Sequence, residues 1–353
     1  MSEPPRLLVV VPARDEAKVI ERKLKNLALV EWPALAGDRK HLLRVVDDGS
    51  TDSTTEFARN IVARRFADHP HVAAEVLAND GMPGKSGAIA RALRNTEPSE
   101  EPPGLVVLTD ADVVLRERAL IALAREFVRD PRLGLACGAQ EFCHAIAPDG
   151  RPTAPGGGEV APAAELYDRA TAVVRRLESR LGRLFSLHGQ LCAWRAGEGL
   201  EPTSGIAADD LELMFRARAR GFAVRRVADA RFLEVKRQGT IARAQAHRRA
   251  LAYYQAVRGR RSALGRHPLD RLQWVLYRTL PGAAPYGLGA LFVVATLAAG
   301  LRFGESGSVL AAVLLALALA LPPGRTLARR LVTIARAGQA PLVLGDRWDT
   351  LRS

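Results

Sequence analysis

Five short runs rich in valine and leucine, Leu7–Val11, Leu42–Val46, Val72–Leu77, Leu105–Thr109 and Leu133–Ala139, recur along the first 140 residues with helical patterns between them. No other feature constrains the chain as much, because neighbouring parallel strands need a crossover of a dozen or more residues, usually a helix. The helical patterns fall at Ala17–Leu29, Thr54–Arg65, Ser86–Arg94 and Glu117–Val128. Runs such as LLVVV and GLVVL are apolar at consecutive positions, as strands buried on both faces are. The expected fold is therefore α/β, Rossmann-like, a mostly parallel sheet with helices on both faces, followed by a C-terminal helical, membrane-associated region.

Charge separates the two parts. The chain has 353 residues and a formal net charge of +13, yet Val235–Ser353 holds 18 Lys+Arg against 4 Asp+Glu, and the first 234 residues are close to neutral. A basic, nucleic-acid-reading face on the folded part is thereby excluded. The positive excess lies beside the most apolar segments, which points to anionic lipid headgroups. Thr279–Leu301 and Ser306–Gly324 carry no charge, and each approaches the ~20 residues that cross a bilayer. Joined by the short connector RFGE and flanked outside by arginines, they predict a helical hairpin with both ends in the cytosol. A pair of buried or interfacial helices is the other arrangement the sequence allows. The basic pattern ELYDRATAVVRRLESRLGRLF sets Leu166, Ala170, Val174, Leu177, Leu181 and Leu184 at helical spacing. Its arginines fit a solvated face or a membrane-facing one. Residues 144–162, rich in Pro and Gly, read as a loop. Cys137, Cys143 and Cys192 form no CxxC and read as reduced, packed thiols. The start MSEPPRLLVVVPARDE has too short an apolar run for a secretory signal.

Acidic residues mark the carboxyl ends of the expected strands, where open α/β sheets bind ligands. In VVLTDADVVL, Asp110 and Asp112 are spaced to project together, roughly 6.6 Å apart at ~3.3 Å per residue. Two converging carboxylates repel unless a hard cation lies near, and Mg²⁺ or Mn²⁺ completed by phosphate oxygens suits them. A helix cap at Asp110 and a surface charge at Asp112 is the plainer alternative. VVDDGSTDST places Asp47 and Asp48 before a glycine turn and a helix start rich in capping residues. GMPGKSGAIARAL puts Gly84 and Lys85 at a helix start, without the first glycine of a phosphate-binding GxxxxGK loop, since Asn79 stands there. In IAADDLELMFRARARGFAV, Asp209 and Asp210 precede a helix with Leu211, Met214, Phe215 and Ala219 on one side. A carboxylate there can cap the helix or take a proton from an attacking hydroxyl.

In order and spacing these segments resemble the inverting glycosyltransferases of family 2, whose nucleotide-binding fold is the GT-A type, over about Leu7–Leu233. The resemblance implies that PARDE, with Pro12 and Glu16, forms the first nucleotide-contacting loop, and that Asp48 binds the donor base. It implies that Gly84 and Lys85 lie beside the donor, and that Asp110 and Asp112 are the metal-binding DxD, Asp110 also facing the nucleotide-sugar. SLHGQLCAWR, with His188, Gly189 and Gln190, resembles the loop beneath the acceptor. Asp210 falls at the family's general base, with Asp209 in place of the usual Glu. The resemblance implies residues 1–234 as the catalytic domain; charge and apolar runs make 235–278 basic interfacial helices, 279–324 a candidate transmembrane hairpin and 325–353 a basic amphipathic tail. Together they imply an enzyme, a hexosyltransferase at the inner face of the cytoplasmic membrane. It would use a nucleotide-sugar and Mn²⁺ or Mg²⁺ to modify a lipid-linked or cell-envelope glycan acceptor, with membrane lipids and no nucleic acid as partners. Processive synthases of polysaccharides carry Gln-x-x-Arg-Trp after the base helix; here Gln245 and Arg248 are followed by Arg249, which disfavours long-chain synthesis. A catalytically inactive membrane scaffold has no need of all three carboxylates.

Overall fold

The computed structural model describes residues 3–94, 102–143, 145–151, 166–202, 209–235, 250–254, 256–257 and 267–320. Its α/β part is built on an eight-stranded mixed sheet in the order β3-β2-β1-β4-β7-β6-β8-β5. Strands β1 (Leu7–Ala13), β2 (His41–Asp47), β3 (Val72–Ala78) and β4 (Leu105–Thr109) form a parallel half. Helices α1 (Ile20–Leu29), α2 (Thr54–Arg65) and α3 (Lys85–Arg94) are the crossovers within it. All four of these strands lie where the valine-rich runs place them. In the second half only the fifth run is found, as β6 (Leu133–Cys143); β5 (Val113–Leu115) and β7 (Leu191–Arg195) run antiparallel to their neighbours, and β8 (Ala223–Val235) is thirteen residues long, none of them expected. Beyond α4 (Ala119–Arg129), β6 pairs with β8 in parallel through register shifts between Leu133 and Leu135 and between Cys137 and Ala139.

Consecutive apolar side chains on each strand go to opposite faces and fill two cores. Leu7, Val9 and Val11 of β1 join Ile20, Leu24 and Leu27 of α1 and Leu120, Leu123 and Phe127 of α4 on one face. Leu8 and Val10 join Ala88, Ile89 and Ala92 of α3 and Leu213, Met214 and Phe215 of α6 (Asp209–Ala219) on the other. That is the physical content of an uninterrupted apolar run in a doubly covered sheet.

One connection shapes everything near the site. β4 lies in the middle of the sheet and β5 at its far edge, yet only residues 110–112 separate them. Four residue steps reach at most ~14 Å, so the β7-β6-β8-β5 side has to curl back over the middle strand. Two buried polar side chains of α1 hold that curl. Asn26 donates from Nδ2 to the Leu115 carbonyl (2.9 Å) and accepts the Leu115 N–H at Oδ1 (2.7 Å), pairing with edge strand β5 as a neighbouring strand would.

The structure decides the orientation of one helix and corrects the pattern expected of another. On α5 (Leu166–Arg180) the apolar stripe faces outward: Val173, Val174, Leu177 and, just beyond it, Leu181 are exposed, whereas Glu178 is buried. Glu178 is turned inward because it accepts hydrogen bonds from the Phe185 N–H, Gln273 and Tyr277. Helix α6 is not amphipathic; Leu211, Leu213, Met214, Phe215 and Ala217 are buried together with Glu212 and Arg218, and Ala219 is the exposed one. The last described element, α7 (Pro268–Ala320), reverses at Gly304 (φ 69°, ψ −163°). The Ser308 hydroxyl donates to the Thr296 carbonyl at 3.3 Å, twelve residues back, a contact that a continuous helix cannot make. The two arms form the hairpin that RFGE predicts. Ala290–Val313 is the stretch with the length and apolarity of a membrane span, and it straddles the reversal. Three cysteines are free and buried. Most of the expected 144–162 loop, Gln245 to Arg249 and the tail 325–353 lie outside the described residues.

Replacing Asn26 by Ala strands the N–H and C=O of Leu115 in the interior. We expect an unfolding free energy lower by roughly 2–5 kcal/mol, read by urea denaturation of the detergent-solubilised chain.

Candidate active site

The loops leaving β1 and β2 are laced together. The Asp15 N–H donates to Ser50 Oγ (2.9 Å), the Thr51 N–H to Asp15 Oδ1 (2.7 Å), and the Glu16 N–H to Thr54 Oγ1 (2.7 Å). Asp15 takes φ 51°, a left-handed conformation that aspartate tolerates better than most side chains. Pro12 is a buried strand residue opposite Val46, and the Glu16 carbonyl accepts the N–H groups of Val19 and Ile20 as α1 begins. Both therefore shape the loop that any ligand at this edge would meet.

Asp48 follows β2 and is buried, with both oxygens engaged. Asn79 Nδ2 donates to Oδ1 (2.5 Å), the Gly84 N–H donates to Oδ2 (2.8 Å), and Arg14 Nη1 stands 3.8 Å away. These bonds fasten the loop that leads into α3. Close packing completes the join: a Cβ on Gly87 would lie 1.7 Å from the Met82 carbonyl oxygen, so the first turn of α3 accepts only glycine there. Lys85, the first residue of α3, reaches across to Asp110 (Nζ–Oδ1 2.8 Å).

Asp110, Ala111 and Asp112 form the turn between β4 and β5. Ala111 sinks into the core, and the two aspartates on either side remain half-buried. The alternation expected of a strand thus survives in a turn. Beneath it lies Lys23 of α1, with no exposed surface, donating from Nζ to Thr109 Oγ1 (2.6 Å) and the Val113 carbonyl (3.1 Å). It bridges the residues that bracket the acidic turn. Burial lowers its pKa to about 7, against the opposing pull of Asp110 and then Asp112. Burial likewise lowers neighbouring Arg22, and there Asp112 is the main opposing charge.

The third contribution comes from residues 188–190. The Asp110 N–H donates to the Gln190 carbonyl (3.1 Å), extending the β4–β7 ladder by one rung. Gln190 Nε2 donates to Glu234 Oε2 (3.0 Å), and Gln140 bonds the same oxygen. Gly189 abuts the base candidate: a Cβ built on it would lie 3.2 Å from Asp210 Cβ and 3.5 Å from Oδ2. Asp210 sits in the first turn of α6, its Oδ1 accepting the Leu211 N–H (2.8 Å). His188 lies against Arg175 (Nη1 to Nε2 3.5 Å) and the Phe232 ring.

Bonds and chain neighbours therefore lead from Asp48 through Gly84, Lys85, Asp110 and Gln190 to Gly189, where the absent side chain leaves room beside Asp210. Asp209 starts α6, and its side chain lies outside the described residues. Among the described residues no group of three or more His, Cys, Asp and Glu gathers as a metal cage. Two oxygen donors at Asp110 and Asp112 still fit Mg²⁺ or Mn²⁺, ions that are commonly held by one or two carboxylates and substrate phosphates. Sequence reading missed Lys23, Asn26 and Glu234. A lysine at the i+3 position of the apolar pattern Ile20, Leu24, Leu27 was the available signal for the first.

A family model described as "Glycosyltransferase like family 2" matches residues 4–260. No curated protein sequence matches the chain. Among solved structures, mannosyltransferase PcManGT from Pyrobaculum calidifontis, in complex with GDP-Man and Mn²⁺, aligns with a TM-score of 0.67 at 23% identity, over 95% of this chain and 86% of that one. TarS of S. aureus aligns with a TM-score of 0.49 at 16% identity, over 77% of this chain and 42% of that one. Glucosyl-3-phosphoglycerate synthase of Mycobacterium tuberculosis, with Mg²⁺ and uridine diphosphate, gives 0.45 at 18%, over 71% and 79%. The first of these establishes the GT-A architecture.

The lowered pKa of Lys23 makes stability depend on pH with a definite sign. Between about 7 and the ordinary lysine value near 10.4 the unfolded chain binds the extra proton, so stability rises with pH. We expect wild-type stability to climb across pH 7–9 relative to Lys23→Met, approaching about 1.4 kcal/mol per pH unit. Parallel urea-denaturation profiles for the two proteins would overturn the assignment.

Proposed function

The chain belongs to the family described as glycosyltransferase like family 2, and from that premise we propose that it transfers a sugar, with inversion, from a nucleotide-sugar to a lipid-linked or cell-envelope acceptor at the cytosolic face of a membrane. Family membership makes it a glycosyltransferase of GT-A fold; the roles of individual residues, the stereochemistry, the acceptor and the membrane face are our reading. The observation that carries it is the short 188–190 segment. It bonds the Asp110 N–H through the Gln190 carbonyl and sets Gly189 beside Asp210, so the donor-side carboxylate and the candidate base flank one short segment.

A divalent cation held by Asp110 and Asp112 would neutralise the donor diphosphate and favour its departure. Lys85 adds a positive charge on the same side, and Asp48 fixes the loop that presents it. Asp210 takes the proton from the acceptor hydroxyl as that oxygen attacks the anomeric carbon. One carboxylate suffices for this displacement, because the nucleoside diphosphate leaves without needing the carboxylic acid that glycosidases supply. Gly189 leaves the space in front of Asp210 that an approaching hydroxyl needs. Lys23 and Asn26 act behind the acidic turn, keeping Asp110 and Asp112 in register with β7 and β5.

Attachment to the membrane is supported by the α7 hairpin, whose outward residues Leu291, Val294, Leu297, Leu301 and Phe303 are exposed. An apolar surface of this kind on a soluble chain would be a liability.

Two outcomes are expected. Nucleoside diphosphate release from one member of a nucleotide-sugar panel should require Mn²⁺ or Mg²⁺, stop with EDTA, and fall about 10²–10⁴-fold in Asp112→Asn and in Asp210→Asn. Unchanged turnover in Asp210→Asn would remove it as the base. In fractionated cells the chain should stay with membranes through high-salt and carbonate washes and come off only in detergent. Release by salt alone would make the attachment electrostatic and peripheral.

A further inference from the structure

Arginines on the second half of the sheet are mostly matched to carboxylates. Arg225 pairs with Glu126 and Asp130, Arg116 and Arg231 with Glu141, and Arg183 and Arg218 with the buried Asp270. Arg175, Arg176 and Arg226 break that pattern: among the described residues none has an ion-pair partner.

Two of them, Arg175 and Arg226, are brought to one side by the seating of α5 on β8, with Arg176 at its exposed margin. Ser179 Oγ accepts the Arg226 N–H (2.9 Å) and donates to the Arg226 carbonyl (3.2 Å), which fixes that face of α5 over the strand. Arg175 lies one turn earlier on the same face and ends 3.5 Å from His188 Nε2. Arg226 is the register partner of Cys137 on β6. Burial lowers the Arg226 pKa, Cys137 opposes that, and Arg175 and Arg176 lower it further. The Cys137 thiol, pushed up to about 11 by burial, feels Arg175, Arg226 and Asp210 together, so the arginines and the base candidate share one neighbourhood. The like charges of these arginines repel one another, and a doubly charged oxyanion would offset that with bidentate hydrogen bonds.

We propose that Arg175, Arg176 and Arg226, with His188, form an anion subsite beside Asp210 that binds a phosphate group on the acceptor. The acceptor is then a phosphate-bearing molecule, either a long-chain lipid phosphate or a soluble phosphorylated sugar. Its place next to the attacking hydroxyl rests on Asp210 being the base, as proposed above; the anion site itself does not.

The test is calorimetric binding to the full chain in mild detergent, with EDTA present. Glucose 6-phosphate is compared with glucose, and micellar dodecyl phosphate with dodecanol. Wild type should bind one or both phosphate probes and neither dephosphorylated partner. Arg226→Gln and Arg175→Gln should each weaken that binding about tenfold or more, Arg226→Lys should recover part of it, and Asp112→Asn should leave it intact. Preference for dodecyl phosphate identifies a lipid source, and preference for glucose 6-phosphate a soluble one. Absence of binding to both probes, equal binding in the arginine variants, or loss in Asp112→Asn would each overturn the subsite. Folding of the variants is checked by near-UV circular dichroism, and Arg176→Gln, on the exposed side of α5, gives a second reading if Arg226→Gln is unfolded. Failure of sugar-nucleotide turnover with phosphate binding preserved would count against the transferase roles alone.

Discussion

The three-residue passage from β4 to β5 governs the architecture of this molecule. A turn too short to cross a flat sheet forces the antiparallel side to curl over the parallel side, and the concave edge so made is where the acidic residues collect. The energetic difficulty of such a curl is the edge strand, whose backbone groups need partners away from water. Asn26 supplies them with a side-chain amide that copies the hydrogen bonding of a peptide. Lys23 does the complementary work on the flanking residues, at the cost of burying an amine. The lowered pKa of Lys23 is the signature of that cost, moderated by two carboxylates a short distance above.

A second buried polar system ties the catalytic half to the helical hairpin. Asp270, in the first turn of α7, is almost wholly enclosed between Arg183 and Arg218, and Gln273 and Tyr277 bond Glu178 of α5. Arg218 belongs to α6, two turns beyond Asp210. Burying such an ion cluster contributes little net stability, but removing one member leaves an uncompensated charge. The geometry thus makes the position of α6, and with it the candidate base, depend on how the hairpin docks. The outward apolar stripe on α5 follows from the same network: Glu178 must turn inward to complete it, which sends Leu177 and Leu181 outward.

The parallel half could be read in advance because its strands are continuous apolar runs of the length that crossover helices demand. β4 and α2 have the bounds expected from sequence, and β1, β2, β3, α1 and α3 differ by a few residues at their ends. The site-bearing turns were legible for a related reason, since Asp110, Asp112, Asp48 and Asp210 each interrupt or terminate an apolar pattern. β7 and β5 escaped notice because they are short and owe their pairing to partners far away in the chain. The orientation of helix α5 stayed open in the sequence because periodicity locates an apolar stripe without saying which side faces the protein.

By itself, the sequence determined the α/β alternation, the burial of β1, β2 and β4, the acidic strand ends and the separation of a neutral domain from a basic, apolar C-terminal part. Those properties depend on local spacing and on the cost of leaving apolar surface in water, which act wherever the chain ends up. Only the tertiary structure decided that Lys23 lies under the acidic turn, that Gly189 faces Asp210, and that Arg175 rides on a helix seated over the strand of Arg226. Those juxtapositions join residues from 21 to 90 positions apart, and they exist because a short turn bends the sheet back on itself, something no local pattern encodes.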